Sequence, residues 1–173
     1  MVPAPAFETS RLRLREMTTA DLDALHRVLG DPETMSFYDH PFSIDETRRW
    51  IEWSLDNYER HGFGLWAMTL KGSGELIGDC GLTVQHVDGA DFVEVGWHTR
   101  RDLWGRGFAS EAAAASRDRG FDDFGLDVLV SLVDTANRAS CRVAEKIGMT
   151  LWKDTVRADG DVRHVYRIRK DER

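Results

Sequence analysis

Two glycines, Gly105 and Gly107, precede the stretch of this sequence that most favours a helix. Four alanines occupy positions 112–115, and alanine has the highest intrinsic helix propensity. Glycine permits a positive φ and lets a ligand approach bare backbone N–H groups. Because a helix N-terminus carries unpaired N–H donors and a partial positive charge, the pattern predicts a phosphate or pyrophosphate site. Arg106, between the two glycines, would add a positive charge.

The glycine pair by itself does not identify a ligand. A tight turn between a strand and a helix, with a solvated arginine, would use the same residues. The segment is not a P-loop, because no Gly-Lys-Ser/Thr follows it. It is not a complete dinucleotide fingerprint, because Ser110 stands where the third glycine would be. An anion site and a plain turn therefore both remain open at this point.

The elements on either side of the glycine pair would position it at the edge of a sheet. Val93, Val95 and Trp97 alternate with polar or small residues, which is the period of a strand. Residues 128–133 are a nearly continuous apolar run, typical of a strand buried on both faces. Asn137 follows that run, and an Asn at a helix start is first of all an N-cap.

The remaining segments predict strands and helices in an order that indicates a mixed α/β sheet. Capping boxes are expected to open two helices, and a third helix is expected to run from Gly107 to about Arg119, with Gly120 stopping or loosening it. The last helix should turn one face inward. The predicted segments are a loose lead-in at 1–10, a strand at 11–15, capping boxes at Thr18–Asp21 and Ser43–Glu46, a hairpin of 65–70 with 76–83, inward residues Ala139, Val143 and Ile147, and a closing hairpin across Asp159-Gly160.

Length and composition indicate one domain of an ordinary soluble protein. The chain has 173 residues, of which 42% are apolar and 31% charged, and its net charge is −7. This charge argues against a nucleic-acid binder, which needs a basic face. Cys80 and Cys141 form neither a disulfide framework nor a metal pair, and no signal peptide or membrane span is visible. We therefore expect a cytoplasmic protein without a metal site.

Two sequence blocks together resemble the acetyl-CoA-binding segment of the GNAT superfamily of N-acetyltransferases. The first comprises residues 94–97, 104–109 and 111–112, and the second comprises residues 137–140 and 145–149. The closer likeness is to the branch of the RimJ/RimL-like ribosomal-protein N-terminal acetyltransferases, and it extends from Glu8 to Tyr166. The resemblance implies one α/β (α+β) acetyltransferase domain over 1–173, with a mixed, mostly antiparallel, twisted sheet of about seven strands and about four helices.

The resemblance also implies how acetyl-CoA would be held. Backbone groups near the end of the strand would bind the pantetheine arm, N–H groups of the glycine turn would hold the pyrophosphate, and a helix start would be a second anchor. The cofactor-binding residues implied are Trp97, His98, Thr99, Trp104, Gly105, Arg106, Gly107, Phe108, Ala109 and Asn137. Asp102 departs from the Gln or Arg that the family usually has there, and Arg100 and Arg101 are expected to supply the missing charge.

Two residues are implied as catalytic, and each has a structural alternative. Glu94 would accept the proton of the amine, or it would be an ion-paired strand residue, with solvent taking the proton. Ser140 would donate to the leaving thiolate, or it would be a structural residue of the first helical turn. Ala144 stands where many members of the family have a tyrosine that acts as the general acid for the leaving thiolate. Backbone N–H groups of residues 94–97 would stabilise the oxyanion.

The function that follows is acetyl transfer from acetyl-CoA to a primary amine in a ternary complex. The acceptor would be a protein N-terminal α-amine or a small-molecule amine. A non-catalytic acyl-CoA sensor, an enzyme that uses another acyl-CoA, and a plain phosphate-binding module remain as alternatives. The sequence leaves a monomer and a homodimer open, and it indicates neither a nucleic acid nor a membrane as partner.

Overall fold

A computed structural model describes residues 6–173, which form eight strands, four α-helices and three short 3-10 turns. The elements are β1 (Phe7–Glu8), β2 (Leu12–Arg15), α1 (Leu22–Leu29), α2 (Ile44–His61), β3 (Leu65–Leu70), β4 (Leu76–Val87), β5 (Ala90–Thr99), α3 (Phe108–Asp122), β6 (Val128–Asp134), α4 (Arg138–Lys146), β7 (Thr150–Val156) and β8 (Val162–Arg169). All strands belong to one sheet of order β1-β2-β3-β4-β5-β6-β8-β7. The mixed, mostly antiparallel α/β fold with about four helices is confirmed.

The sheet has eight strands, one more than the sequence led us to expect. The additional strand, β1, lies inside the predicted loose lead-in and pairs antiparallel with β2. It is ordered because the ring of Phe7 packs edge-on against Trp66 at 4.9 Å, with the guanidinium of Arg119 4.5 Å from the Phe7 ring. The rest of the predicted lead-in, residues 1–5, lies outside the described residues.

Side chains of β3 show why the central strands are apolar at almost every position. Trp66 and Met68 belong to a buried cluster that includes residues of α3 and α4. Leu65 and Ala67 belong to a second cluster, with residues of α1 and α2. Successive residues of a strand point to opposite faces, so helices cover this part of the sheet on both sides.

Helix α3 lies close against the sheet, and Gly120 makes this approach possible. Of the two roles predicted for Gly120, stopping or loosening the helix, the first is wrong, because α3 continues to Asp122. A Cβ added at Gly120 would lie 3.2 Å from Leu129 Cδ1, so the missing side chain is a packing requirement. Of the three residues expected to point inward from α4, Ile147 is buried, and Val143 packs against the core while it also lines a cleft. Ala139 is exposed and lines the cleft instead, and the buried residues of α4 itself are Cys141 and Ala144.

Strands β5 and β6 are the only parallel neighbours among the described strands, and they separate soon after they meet. Their ladder matches Glu94 with Val130 and no other pair. Beyond this point side chains bridge the gap: the Ser131 hydroxyl donates to the Val95 carbonyl at 2.7 Å, and the Leu132 N–H donates to the Glu94 carboxylate at 3.0 Å. The divergence opens a cleft in the middle of the sheet.

Among residues 6–173, no helix combines the length and apolar character needed to cross a bilayer. Cys80 and Cys141 are both buried free thiols. Burial raises the pKa of the Cys80 thiol to about 12. This thiol is therefore protonated at neutral pH and serves as a small apolar residue.

Candidate active site

The cleft between β5 and β6 has a volume of about 510 Å³ and brings together nearly all the residues singled out from the sequence. Those that line it are Glu94, Trp97, His98, Thr99, Trp104, Gly105, Gly107, Phe108, Ala109, Asn137 and Ser140. Arg106 is exposed and is not among the lining residues. The two sequence blocks, separated by 24 residues in the chain, thus line one site.

The glycine turn has the backbone conformation that its sequence predicts. Gly105 and Gly107 have φ values of 74° and 82°, in the left-handed region that favours glycine. Gly107 is the N-cap of α3 and offers no side-chain cap. Within the described part of the chain, no acceptor is recorded for the backbone N–H groups of residues 105–110. These donors lie at the N-terminus of α3 beside the cleft, where a bound anion would accept their hydrogen bonds.

Arg11, near the N-terminus of the chain, forms hydrogen bonds that hold this turn in place. Its guanidinium donates to the Arg106 carbonyl at 2.9 Å and, through Nε, to Glu111 at 2.7 Å. The backbone N–H of Arg11 and the hydroxyl of Thr9 also donate to Glu111, at 2.8 and 2.6 Å. The sequence predicts only that Arg11 belongs to a strand at 11–15. The alternation of β2 shows that it points outward, but nothing local shows that α3 begins there.

The two arginines expected to compensate for Asp102 are already engaged by carboxylates. Arg100 donates to Asp102 at 2.6 Å and to Glu75 at 2.6 Å, and Arg101 donates to Glu33 at 2.7 Å. Their charge is therefore largely balanced by the protein, contrary to the expectation. The backbone N–H groups of the turn, rather than these guanidinium groups, are the donors directed at the cleft.

Asn137 caps α4, as its position predicts. Its Oδ1 accepts from the backbone N–H of Ser140 at 3.1 Å, which leaves the two Nδ2–H donors for other partners. The cap also fixes the first turn of α4, where the half-buried Ser140 lines the cleft. Ala144, the position of the missing tyrosine, is fully buried and does not line the cleft.

Glu94 is a half-buried carboxylate in the wall of the cleft. One of its oxygens accepts from the Leu132 N–H at 3.0 Å, and the other lies 3.5 Å from the Thr83 hydroxyl. Burial raises the pKa of Glu94 above its usual value, although the Leu132 N–H opposes the shift. A carboxylate with a raised pKa is a better proton acceptor than an exposed one.

His98 is held between two side chains that the sequence analysis did not single out. Its Nδ1 lies 2.7 Å from Asp79 Oδ1, and its Nε2 lies 2.6 Å from the Tyr38 hydroxyl. Asp79 is fully buried, and its second oxygen accepts from the Trp50 indole at 2.8 Å. The signal that could have found Asp79 is an acidic residue inside the apolar strand at residues 76–82.

An aromatic wall faces Glu94 and His98 from α2 and the segment before it. Trp50 and Trp53 line the cleft with ring centroids 5.0 Å apart, and Trp50 also lies 5.9 Å from the ring of His98. His40, which precedes this wall, pairs with Glu46 at 2.8 Å and does not line the cleft. No cluster of three or more His, Cys, Asp or Glu among residues 6–173 could hold a metal ion.

Comparisons with known proteins agree with this geometry. The profile of the GNAT acetyltransferase domain family matches residues 11–150. The uncharacterized protein YkkB of Bacillus subtilis (strain 168) is 39% identical over 142 residues, which cover 82% of this chain and 83% of that protein.

Solved structures share the whole fold. An acetyltransferase from Agrobacterium tumefaciens str. C58 superposes with a TM-score of 0.84 at 33% identity, covering 98% of this chain and 97% of that one. RimL, a ribosomal L7/L12 α-N-protein acetyltransferase solved with coenzyme A, superposes with a TM-score of 0.75 at 18% identity, covering 98% and 100% of the two chains. This second likeness is one of fold. With the family profile matched over most of the chain and a divided sheet that opens beside a bare helix N-terminus, the chain is an N-acetyltransferase of the GNAT family.

Proposed function

We propose that the protein transfers an acetyl group directly from acetyl-CoA to a primary amine, with both bound in the cleft between β5 and β6. One observation carries this proposal. The unbonded N–H groups of residues 105–110 lie beside a cleft that leads to the half-buried carboxylate of Glu94. A binding site for the anionic tail of the cofactor and a proton acceptor for the amine are two requirements of this transfer that these groups would supply.

For the cofactor, we propose that the pyrophosphate binds to the glycine turn and the pantetheine arm runs along the open edge of β5. The Val95 carbonyl points across the gap to Ser131. Backbone groups two residues further along a strand point the same way, so those of Trp97 and Thr99 face the gap as well. Asn137 would bind the arm through its Nδ2 donors. The binding of coenzyme A by RimL, which has the same fold, supports coenzyme A as the ligand.

For the chemistry, we propose that Glu94 accepts the proton of the amine and that the N–H groups of the β5 edge stabilise the oxyanion. The amine nitrogen forms a bond to the carbonyl carbon, the carbon–sulfur bond breaks, and Ser140 donates to the thiolate that leaves. Support comes from the raised pKa of Glu94 and from the position of Ser140 in the opposite wall.

The test measures binding and transfer separately. Acetyl-CoA at about 100 times its Kd should stabilise the fold by about 2.7 kcal/mol in a thermal-shift assay, and inorganic phosphate should not. Release of free CoA is then followed with an amine panel: an alanine-terminated peptide, the same peptide with a blocked N-terminus, spermidine and an aminoglycoside. If acetyl-CoA binds but no amine causes the release of CoA, the catalytic proposal is contradicted. If acetyl-CoA causes no thermal shift, the proposal that it is the cofactor is contradicted.

A second candidate is a non-catalytic acyl-CoA sensor. The observation that favours it is Ala144, which is fully buried where many relatives of the family place an acidic tyrosine. The same pair of assays separates the two, because a sensor binds acetyl-CoA and releases no CoA with any amine. The panel also separates an α-amine acceptor from a small-molecule amine.

A further inference from the structure

A chain of hydrogen-bonded side chains runs from the interior of the sheet to the wall of the cleft. It begins at Asp79 on β4, which is fully buried, and continues 2.7 Å to His98 on β5. From His98 it continues 2.6 Å to the hydroxyl of Tyr38, in the segment between α1 and α2. Tyr38 is 42% exposed and lines the cleft together with His98. The proposed mechanism gives none of these side chains a role.

The state of His98 decides the direction of these hydrogen bonds. Burial opposes its charged form, but the interactions with Tyr38 and Asp79 outweigh burial and raise the pKa of His98 to about 10. The ionisable groups that face it are Asp79 from β4, Tyr38 from the segment before α2, and Glu94 from its own strand. Trp50 of α2 adds only an uncharged ring. His98 is therefore an imidazolium at neutral pH.

An imidazolium donates from both of its nitrogens. Nδ1–H then donates to Asp79, and Nε2–H donates to the Tyr38 oxygen. The hydrogen of Tyr38 must point away from His98. A hydroxyl that accepts from a cation is also a stronger donor, because linked hydrogen bonds polarise one another.

We propose that Tyr38 is a further catalytic residue of the acetyl transfer, whose hydroxyl donates a hydrogen bond to the thioester oxygen as it gains negative charge. This inference rests on the proposed function. As the amine nitrogen bonds to the carbonyl carbon, the electron pair of the C=O bond moves onto oxygen, where Tyr38 stabilises it. The pair returns as the carbon–sulfur bond breaks, and the electrons of that bond leave on sulfur. The proton of the amine goes to Glu94, and Tyr38 keeps its own.

His98 and Asp79 are positioning residues in this scheme. The buried Asp79 orients the ring and stabilises its charge, and its bond from Trp50 keeps the carboxyl group in place. A tyrosine that served packing alone would need neither a charged partner nor an exposed position beside the cleft. The aromatic contact of Tyr38 with Phe42, at 6.0 Å between ring centroids, accounts for its ring but not for its hydroxyl.

The test replaces Tyr38→Phe, which keeps the ring and its packing, and uses the panel amine that the parent enzyme acetylates fastest. We expect kcat to fall by about 10²- to 10³-fold, the usual effect of removing one oxyanion donor, with the KM for acetyl-CoA within twofold of the parent. Asp39→Asn, a neighbouring change at an exposed residue that does not line the cleft, should keep kcat within a few-fold. A loss of kcat smaller than tenfold in Tyr38→Phe would overturn the proposal.

The positioning roles have a readout that needs no acceptor. Imidazole nitrogen shifts in NMR should show His98 protonated at pH 8 in the parent and losing its proton at a lower pH in Asp79→Asn. The kcat of the parent should decrease as pH rises through the raised pKa of His98, and Tyr38→Phe should lack this decrease. A neutral His98 at pH 8 would also overturn the proposal. If the parent releases no CoA with any amine, the proposed function fails, whereas an active parent with a fully active Tyr38→Phe refutes this inference alone.

Discussion

Glu94 and His98 show how two side chains of one strand come to favour opposite forms, the neutral form for Glu94 and the charged form for His98. They lie four residues apart on β5, with Gly96 between them, and face the same side of the sheet. Burial favours the neutral form of both, but His98 has the buried Asp79 beside it, whereas Glu94 receives only an N–H and a distant hydroxyl. The result is a carboxyl group with a raised pKa next to a persistent imidazolium.

Replacing Glu94→Gln should lower kcat and stabilise the fold. The fold raises the pKa of Glu94 above its unfolded value, so this group favours folding most below the unfolded pKa and loses that contribution as pH rises through the folded pKa. Gln has no charge and keeps an acceptor for the Leu132 N–H. At pH 7 we expect Tm to rise by about 2–4 °C, the effect of about 1 kcal/mol in a chain of this size.

The same variant tests the proton acceptor. The parent should lose kcat as pH falls through the raised pKa of Glu94, and Glu94→Gln should lack this acidic limb. The gain in Tm, measured by calorimetry, should shrink towards pH 4. An unchanged pH–rate profile would exclude Glu94 as the base, and a lower Tm at pH 7 would contradict the stability argument.

Replacing Ser140→Ala isolates the hydroxyl proposed to assist the leaving thiolate. The N-cap survives, because Asn137 accepts from the backbone N–H of residue 140 and not from its side chain. We expect kcat to fall at least tenfold, since general acids usually contribute about 10²- to 10⁴-fold, with Tm unchanged. Steady-state kinetics and thermal melting measure both. A kcat equal to that of the parent would remove Ser140 from the mechanism.

At the scale of elements, the glycine turn depends on a contact between Arg11, directly before β2, and the start of α3. Arg11 holds the Arg106 carbonyl and Glu111 together, and its guanidinium lies 4.2 Å from the ring of Phe108. The pair is partly exposed, so its direct contribution to stability is small. We expect this contact instead to keep the backbone of the turn in one conformation, and so to affect the binding of the cofactor.

Replacing Arg11→Ala should therefore weaken the binding of coenzyme A more than it lowers Tm. We expect a loss of affinity of roughly tenfold, the equivalent of about 1.4 kcal/mol, by isothermal titration calorimetry. Arg13→Ala is the matched control, because Arg13 lies on β2, is exposed like Arg11, and accepts the Thr69 hydroxyl only through its backbone carbonyl. Equal affinity losses in the two variants would show that net charge, not the contact with the turn, is responsible.

Replacing Gly107→Ala tests the turn itself. An alanine at a φ of 82° is strained, at a cost of roughly 1–2 kcal/mol, and its Cβ would lie 3.4 Å from the Arg11 guanidinium. Gly160→Ala, with a φ of 88° in the β7–β8 hairpin, is an equally strained control far from the cleft. Both should lower Tm, but only Gly107→Ala should weaken coenzyme A binding. If Gly160→Ala weakened it equally, the turn would have no special part in binding.

At the scale of the molecule, the site exists because the sheet divides between β5 and β6 while helices cover its two faces. The part of the lining that we propose for the cofactor comes from α3 and α4, and the part that we propose for the acceptor comes from α2 and the segment before it. A displacement of α3 from the sheet would thus alter both the stability of the fold and the mouth of the cleft. That the whole chain is one domain, and whether it is a monomer or a homodimer, stay predictions.

Replacing Gly120→Val should produce this displacement. The added atoms would meet Leu129 and Leu82, at 3.2 and 3.4 Å from the ideal Cβ, and overpacking of this kind costs about 1–3 kcal/mol. Ala115→Val, on the same helix but half-buried, should cost less than about 1 kcal/mol. Urea denaturation measures both. Equal costs would mean that α3 is free to adjust, and that its close approach does not depend on Gly120.

The sequence by itself determined what depends on residues close to one another along the chain. Alternation identified the strands, the glycine pair before the alanine run identified the turn at the start of α3, and Asn137 was assigned as the cap of α4. Each of these follows from backbone preferences and hydrogen bonds that span a few residues, so the local sequence is enough. Helix ends were less certain, since packing against the sheet, and not the glycine, carries α3 past Gly120.

Only the tertiary structure decided which distant side chains meet at the cleft. Asp79 and His98 are 19 residues apart, Tyr38 and His98 are 60 apart, and Arg11 and Glu111 are 100 apart. Strand order and helix placement bring these pairs within hydrogen-bond distance, and burial then sets their charge states. A pKa depends on the groups that surround a side chain in space. The sequence therefore predicted only that His98 lies near the cofactor arm, whereas the fold places its ring between Asp79 and Tyr38 and favours its charged form.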